Sequence, residues 1–292
     1  NNHSGNICEN VSNLFENVYS IEKDKKYVLI QQNKFRNKKI KNITVIESNY
    51  LVLPFKDEYF DLVIYNGLDL ENKSEIFRCF KEVKRVMKSS GCFCIGGKNK
   101  FGFGLSGRKM HGLEEQTYSE SYEGYMSIFN KLEFKTRSYL SIGSLTRPYF
   151  ISNIDDTVLT EWIFSNIEKI LALNSKTKLM ISIMKKTKTH LRKFLIKMFV
   201  PSFLFYCYKN SIPYSFEDMI KEKTGYSRMI QQIRFKKVIF ILFDNMGNPK
   251  KKLSCKRTKI NLTDKIVSVG YPPNNEIFKE NLLLEDWVEG SS

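Results

Sequence analysis

The stretch LPFKDEYFDLVIYNG (residues 53–67), followed by EIFRCFKEVKRVMKSSGCFCIGG (residues 75–97), reads as strand, helix and strand in one unbroken run. YFDLVIY is a nearly continuous apolar segment, the pattern of a parallel strand covered by helices on both faces. Asn66 and Gly67 end it, which puts them at the carboxyl edge of the sheet, where open α/β sheets bind their ligands. Ile76, Phe77, Phe80, Val83, Val86 and Met87 recur at spacings of three and four. One stripe of the helix is therefore apolar, while Lys81, Lys84 and Arg85 stay solvated. Gly91 is expected to close this helix, and CFCI to begin the next buried strand.

Working outward, NVYSIE (residues 17–22) reads as a short strand ending in an acid, a polar helix follows from about Asp24, and NITVIES (residues 42–48) is another strand. Strands and helices alternate, which argues for a parallel sheet. After Gly97 comes KNKFGFGLSGRKMHGLEEQ, a Gly- and Lys-rich stretch without periodicity that is longer than an ordinary connection; such loops are functional lids or disordered. A helix is expected within residues 118–134. Two strand-like runs follow, KTRSYLSI and RPYFISNI, with a Gly-Ser turn region between them. The expected organisation is an α/β domain over 1–154, a helical basic linker over 155–233, and a small β-rich region over 234–292. In the last of these, KKVIFILFDNMGNPKKKLSCKRT is a hairpin turning at residues 244–249.

The chain has 292 residues, enough for one full domain and part of another, and 42% of them are hydrophobic. Six cysteines lie scattered, mostly inside apolar runs, which fits a reducing, cytoplasmic setting better than a disulfide framework. Cys92 and Cys94, two apart on a strand, face the same way and are read as buried thiols. No metal-ligand spacing appears among the cysteines and three histidines. The formal charge of +16 is spread through much of the chain, so a general lysine bias and a specific polyanion site both stand as readings. The densest cluster, residues 175–200, carries Lys176, Lys178, Lys185, Lys186, Lys188, Arg192, Lys193 and Lys197 and no acid. It is either a solvated helix face or a patch for anionic lipid or pyrophosphate. The run FLIKMFVPSFLFYCY (residues 194–208) either packs against the parent domain or, with 176–208, lies peripherally at the inner face of a membrane. No apolar run reaches the roughly 20 residues needed to span a bilayer, and NNHSGNICEN lacks the basic start and apolar centre of a signal peptide.

The strand–helix–strand run, with its order and spacing over residues 4–97, resembles the second half of a class I S-adenosylmethionine-dependent methyltransferase domain of the type 11 kind. The resemblance implies a Rossmann-like, mostly parallel sheet with the first strand missing from the sequence. It implies S-adenosyl-L-methionine as cofactor, held at four places. Gly5 is the last glycine of the first cofactor loop, with Asn1 and His3 where glycines are usual. Glu22 takes the ribose hydroxyls. Ser48, Asn49 and Tyr50 read the adenine edge and stack on the ring, with Asn49 where the family commonly has aspartate. Asn66 and Gly67 line the methionine region.

Methyl transfer from a sulfonium chiefly needs alignment and exclusion of water, and a hydroxyl acceptor also benefits from a base. The loop after residue 97 offers His111, Glu114 and Glu115, of which His111 is the preferred base. KNKFG through HG, with YEGYMSIFNKLEF and TRPYFIS, is similar to a branch of the family associated with surface polysaccharide and glycolipid assembly. That implies O-methylation of a sugar or other small molecule. The tail resembles the stub of an aminoglycoside-phosphotransferase-like kinase small lobe, with Lys256 at the phosphate-pairing position and NLLLEDWVEGSS as the hinge strand. The catalytic lobe is absent, so no kinase activity is expected. Two other readings stand: a catalytically inactive methyltransferase-like scaffold, and an RNA methyltransferase. Nucleic acid is not the expected partner, because no RNA-binding module of a recognised kind is visible.

Overall fold

A computed structural model describes residues 4–66, 72–102, 119–144, 147–170, 175–233, 237–256 and 282–286. In chain order the elements are α1 (Asn6–Val11), β1 (Val18–Glu22), α2 (Lys25–Asn37), β2 (Ile43–Glu47), β3 (Phe60–Asn66), α3 (Lys73–Val86), β4 (Met87–Lys98) and α4 (Tyr122–Lys131). There follow β5 (Lys135–Ser144), β6 (Arg147–Asn153), α5 (Thr157–Ile170), α6 (Ser175–Lys186), α7 (Thr189–Phe199), β7 (Ser202–Tyr208), α8 (Phe216–Thr224), β8 (Arg228–Ile233), β9 (Lys237–Phe243), β10 (Pro249–Lys256) and β11 (Leu282–Asp286). The helix starts follow local chemistry. Asp24, Asn72, Ser121 and Ser215 each cap a helix with a side-chain oxygen that accepts a backbone N–H two or three residues on.

The opening stretch folds as its pattern requires. β3 and β4 pair in parallel, Leu62 to Cys92 through Asn66 to Gly96, and α3 crosses between them. Ile76, Phe80, Val83 and Val86 of α3 are buried, and Phe80 packs edge-on against Tyr65 and Phe93. Each such side chain contributes roughly 1.5–3 kcal/mol of burial. One expectation is corrected here. Gly91 does not close α3; the helix stops at Val86 and the chain is already extended at Met87. Gly91 lies within β4, where an added Cβ would come to 2.7 Å from Met87 Cγ and 2.9 Å from the Phe60 carbonyl oxygen. The glycine is there for close approach between two strands, which periodicity alone does not show.

β1 and β2 form a separate two-stranded parallel sheet, and the other nine strands run in the order β11-β10-β9-β8-β6-β5-β7-β4-β3. Side chains join the two sheets beside β3. The Tyr19 and Tyr59 hydroxyls are 2.9 Å apart, Tyr19 meets Phe55 and Phe60 edge-on, and Ile64 packs against the small core of Cys8, Val11, Val18 and Phe35. The α/β class and the helix-crossed parallel pairs are as expected over the first 98 residues. Beyond β4 every pairing in the large sheet is antiparallel, which departs from a mostly parallel sheet.

Two of these pairings come from the long-range insertion of β7. It comes back after three helices and lies between β4 and β5, antiparallel to both. Residues 202–208 are thus part of the sheet begun by β3 and β4, and the boundary expected after Ile154 is crossed by backbone hydrogen bonds. One hydrophobic core runs from Tyr50 through Phe129, Leu159, Ile181, Ile196 and Phe203 to Phe243, so the segment expected as a linker packs onto the same body. A second core on the opposite sheet face gathers Cys92, Cys94, Tyr139, Tyr206 and Phe240 beneath Phe216 and Ile220 of α8. Cys92 and Cys94 do face the same way, and Cys8, Cys79, Cys92, Cys94 and Cys207 are buried. Burial pushes the Cys79 and Cys92 thiols up to about 12. The hairpin of β9 and β10 turns at Asp244 as expected, and β11 adds to β10.

Candidate active site

Glu22 ends β1 and is almost fully buried. Gln31, wholly buried on α2, donates from Nε2 to Glu22 Oε1 at 2.7 Å and accepts from the Ser20 hydroxyl at 2.7 Å. The amide thereby fixes the plane of the carboxylate at the carboxyl edge of the β1–β2 sheet. Gly5 belongs to the same group. It holds φ +65° before α1, and an added Cβ would sit 2.6 Å from Phe35 Cζ and 3.2 Å from Gln31 Cγ. Only a glycine lets the turn before α1 lie against α2 at this point.

The segment after β2 is anchored to the same edge. Ser48 N donates to the Glu22 carbonyl at 3.0 Å, and Lys23 N donates to the Tyr50 hydroxyl at 3.2 Å. Tyr50 is buried in the main core with Tyr65, Ile76 and Phe80 rather than standing open as a stacking platform. Asn49 is exposed, and its Oδ1 accepts from Leu51 N at 3.0 Å, closing a local turn. The next residues are clamped by α3. Arg85 donates to the carbonyls of Leu53 and Phe55 and to Asp57, while Glu82 accepts from Leu53 N. Arg85 holds the Glu82 carboxyl below the usual carboxylate range.

Asn66 ends β3 opposite Gly96 of β4. Gly67 lies outside the described residues, as does His111. The base of the loop that carries His111 is described. Asn99 bridges to Glu120, Lys100 N donates to the Glu120 carbonyl and Glu120 N to that of Lys98. The loop therefore leaves and returns beside the carboxyl end of β4. Asn99 is a structural anchor: its Nδ2 donates to the carbonyls of Lys197, Met198 and Val200, capping α7.

Of the residues expected from sequence, Ser48 is bonded to Glu22 directly, Tyr50 is bonded to the neighbouring Lys23, Gly5 lies against the Gln31 that holds Glu22, and Asn49 stands at the rim of the same edge. Gln31 was missed. Its signal is present in the sequence as a lone amide in the stripe Val28, Gln31, Phe35, where periodicity calls for an apolar side chain.

Residues 3–95 match the family described as the methyltransferase domain. The chain is 32% identical over 74 residues to demethylmenaquinone methyltransferase of Alkalihalophilus pseudofirmus, a match that covers 25% of this chain and 31% of that protein. Among solved structures, a SAM-dependent methyltransferase from Aquifex aeolicus aligns with 49% of this chain and 73% of its own at 20% identity and a TM-score of 0.41. Phosphoethanolamine N-methyltransferase 1 of Haemonchus contortus, solved with phosphoethanolamine and S-adenosylhomocysteine, aligns with 47% of this chain and 33% of its own at 16% identity and a TM-score of 0.40. The domain matched over residues 3–95 implies S-adenosylmethionine as cofactor. The residues fit that group. A buried carboxylate held by a buried amide at a strand end is an acceptor for hydroxyls, and the Gly5 turn that packs against Phe35 and Gln31 sits beside it.

Proposed function

We propose that this chain is an S-adenosylmethionine-dependent methyltransferase that methylates a hydroxyl on a sugar or other small molecule used in surface glycan or glycolipid synthesis. The observation that carries the reading is the Ser20–Gln31–Glu22 chain of hydrogen bonds, which holds an acid at the end of β1 inside the stretch that matches the methyltransferase domain. Glu22 would accept from the ribose hydroxyls, and Gly5 would let backbone approach the cofactor. Asn49 would meet the adenine edge through its carbonyl oxygen, and Asn66 and Gly67 would line the reacting end. The cofactor, when bound, supplies the methyl group. The chain orients the acceptor, excludes water and takes the hydroxyl proton, for which His111 is the proposed base.

Calorimetry with S-adenosylhomocysteine tests the cofactor site: binding is expected, with at least about a tenfold loss in Glu22→Ala, the scale of losing charge-assisted hydrogen bonds. No heat from the unaltered chain would sink the reading and leave a non-catalytic scaffold. Transfer of labelled methyl to a panel of glycans and lipid-linked sugars tests the acceptor. There His111→Ala is expected to lower turnover about 100-fold or more while leaving cofactor affinity unchanged.

A further inference from the structure

Helices α6 and α7 form a hairpin whose inner side is buried and whose outer side is not. Ile181 of α6 and Ile196 of α7 both enter the main core. On the far side of α6, Leu179 and Ile183, one turn apart, are 64% and 54% exposed; on the far side of α7, Leu191 and Phe194 are 51% and 52% exposed. Since both inner stripes meet one core, both outer stripes face away from it. Arg192 fixes the hairpin, donating from Nη2 to the carbonyls of Lys185 and Thr187 and pairing through Nη1 with Glu161 at 3.1 Å.

The charge around this apolar strip has one sign. Lys178, Lys185, Lys186 and Lys188 are exposed beside it, and residues 175–200 contain no acid. Among nearby carboxylates, Glu161 pairs with Arg192, and Asp155 with Lys193 and Lys197. No helix of the described residues is long and apolar enough to cross a membrane, so this surface can only lie along one. The seven residues of β7 are buried in the sheet and take no part.

We infer that the outer face of α6–α7 docks on an anionic lipid surface, with Leu179, Ile183, Leu191 and Phe194 entering the boundary between headgroups and acyl chains and the lysines meeting the phosphates. Exposed apolar pairs on the outer sides of two neighbouring helices, flanked by lysine, are the composition of an interfacial surface. A nucleic-acid surface would use the lysines and leave three aliphatic side chains without a role. The inference does not depend on methyl transfer, since none of the residues it uses belongs to the candidate site.

Flotation of the full chain with phosphatidylcholine vesicles, with and without phosphatidylglycerol, tests it. The chain is expected to float with the anionic vesicles only, and to be released by salt in part. Leu179→Ser, Ile183→Ser, Leu191→Ser and Phe194→Ser combined should lower vesicle affinity at least about tenfold. Lys178→Ala, Lys186→Ala and Lys188→Ala combined should lower it about 100-fold, at roughly fivefold for each basic residue near the surface. Unchanged circular dichroism and melting would show that both variants fold, as exposed positions allow. Should either variant misfold, quenching of a fluorophore attached at Thr187→Cys by brominated lipid keeps the test open, with quenching expected by anionic vesicles and its absence counting against docking. The inference is overturned if the unaltered chain stays unbound, or if the serine variant floats as well as it does. It is equally overturned if single-stranded RNA binds the serine variant undiminished while vesicles bind neither.

Discussion

At the scale of single residues, Gln31 has the largest consequence. It is wholly buried and hydrogen-bonded to both Ser20 and Glu22, so Gln31→Leu keeps the volume while stripping two buried polar groups of a partner. A loss of about 1–3 kcal/mol is expected in chemical denaturation, together with weaker S-adenosylhomocysteine binding. Tyr206 behaves in the opposite way. Its hydroxyl is buried among Cys92, Cys94 and Tyr139 and makes no hydrogen bond among the described residues, so Tyr206→Phe should leave melting unchanged or raise it. Glu58 gives a pH prediction. The Lys209 ammonium at 2.6 Å, with the amide and hydroxyl of Ser89, lowers its carboxyl from 4.5 to about 2. A depressed carboxylate stabilises the fold fully above its ordinary value, and that contribution is lost as pH falls through about 2. Lys209→Ala should move the Glu58 carboxyl resonance toward the ordinary titration in NMR. An unmoved midpoint would show that Ser89 alone sets it.

At the scale of elements, what could be read locally and what could not separate along contact distance. The α3 stripe, the β3 apolar run and the β9–β10 hairpin are legible because their periodicities of 3.6 and 2 come from neighbours within a few residues. Gly91 is the instructive error. A glycine after an apolar helix commonly marks its end, yet here the nearest backbone atom to an added Cβ is the Phe60 carbonyl oxygen, thirty-one residues earlier in the chain. Gly91→Ala should therefore destabilise the β3–β4 pairing, seen as faster hydrogen exchange in 60–66 and 92–96, while the helicity of α3 stays unchanged. Tyr50 is similar: its place after β2 is readable, but its burial depends on Tyr65 and Phe80 arriving from the next two elements. On the candidate site, the acid and the glycine announce themselves by position. The amide that orients the acid stands nine residues further along, on the next helix.

At the scale of the whole molecule, β7 decides what counts as one body. Truncation after Ile154 would expose β4 and β5 along the edges that β7 joins and remove the helices that cover the main core. Such a fragment is expected to aggregate or to lack a cooperative melt, whereas a division into a domain of residues 1–154 and a linker would leave it folded. Circular dichroism and size-exclusion chromatography of that fragment separate the two outcomes.

The sequence by itself determined the α/β class, the helix-crossed parallel pair and the order of candidate cofactor residues along the chain, because each depends on local periodicity or on residues at the ends of strands. Only the tertiary structure decided that residues 202–208 belong between β4 and β5, that Gln31 holds Glu22, and that the basic segment divides into a buried strand and a helical hairpin with one side in the core and the other exposed. An apolar run shows that it must be buried. Which surface buries it depends on contacts a hundred residues away, as between Phe93 and Cys207, and no local pattern encodes that pairing.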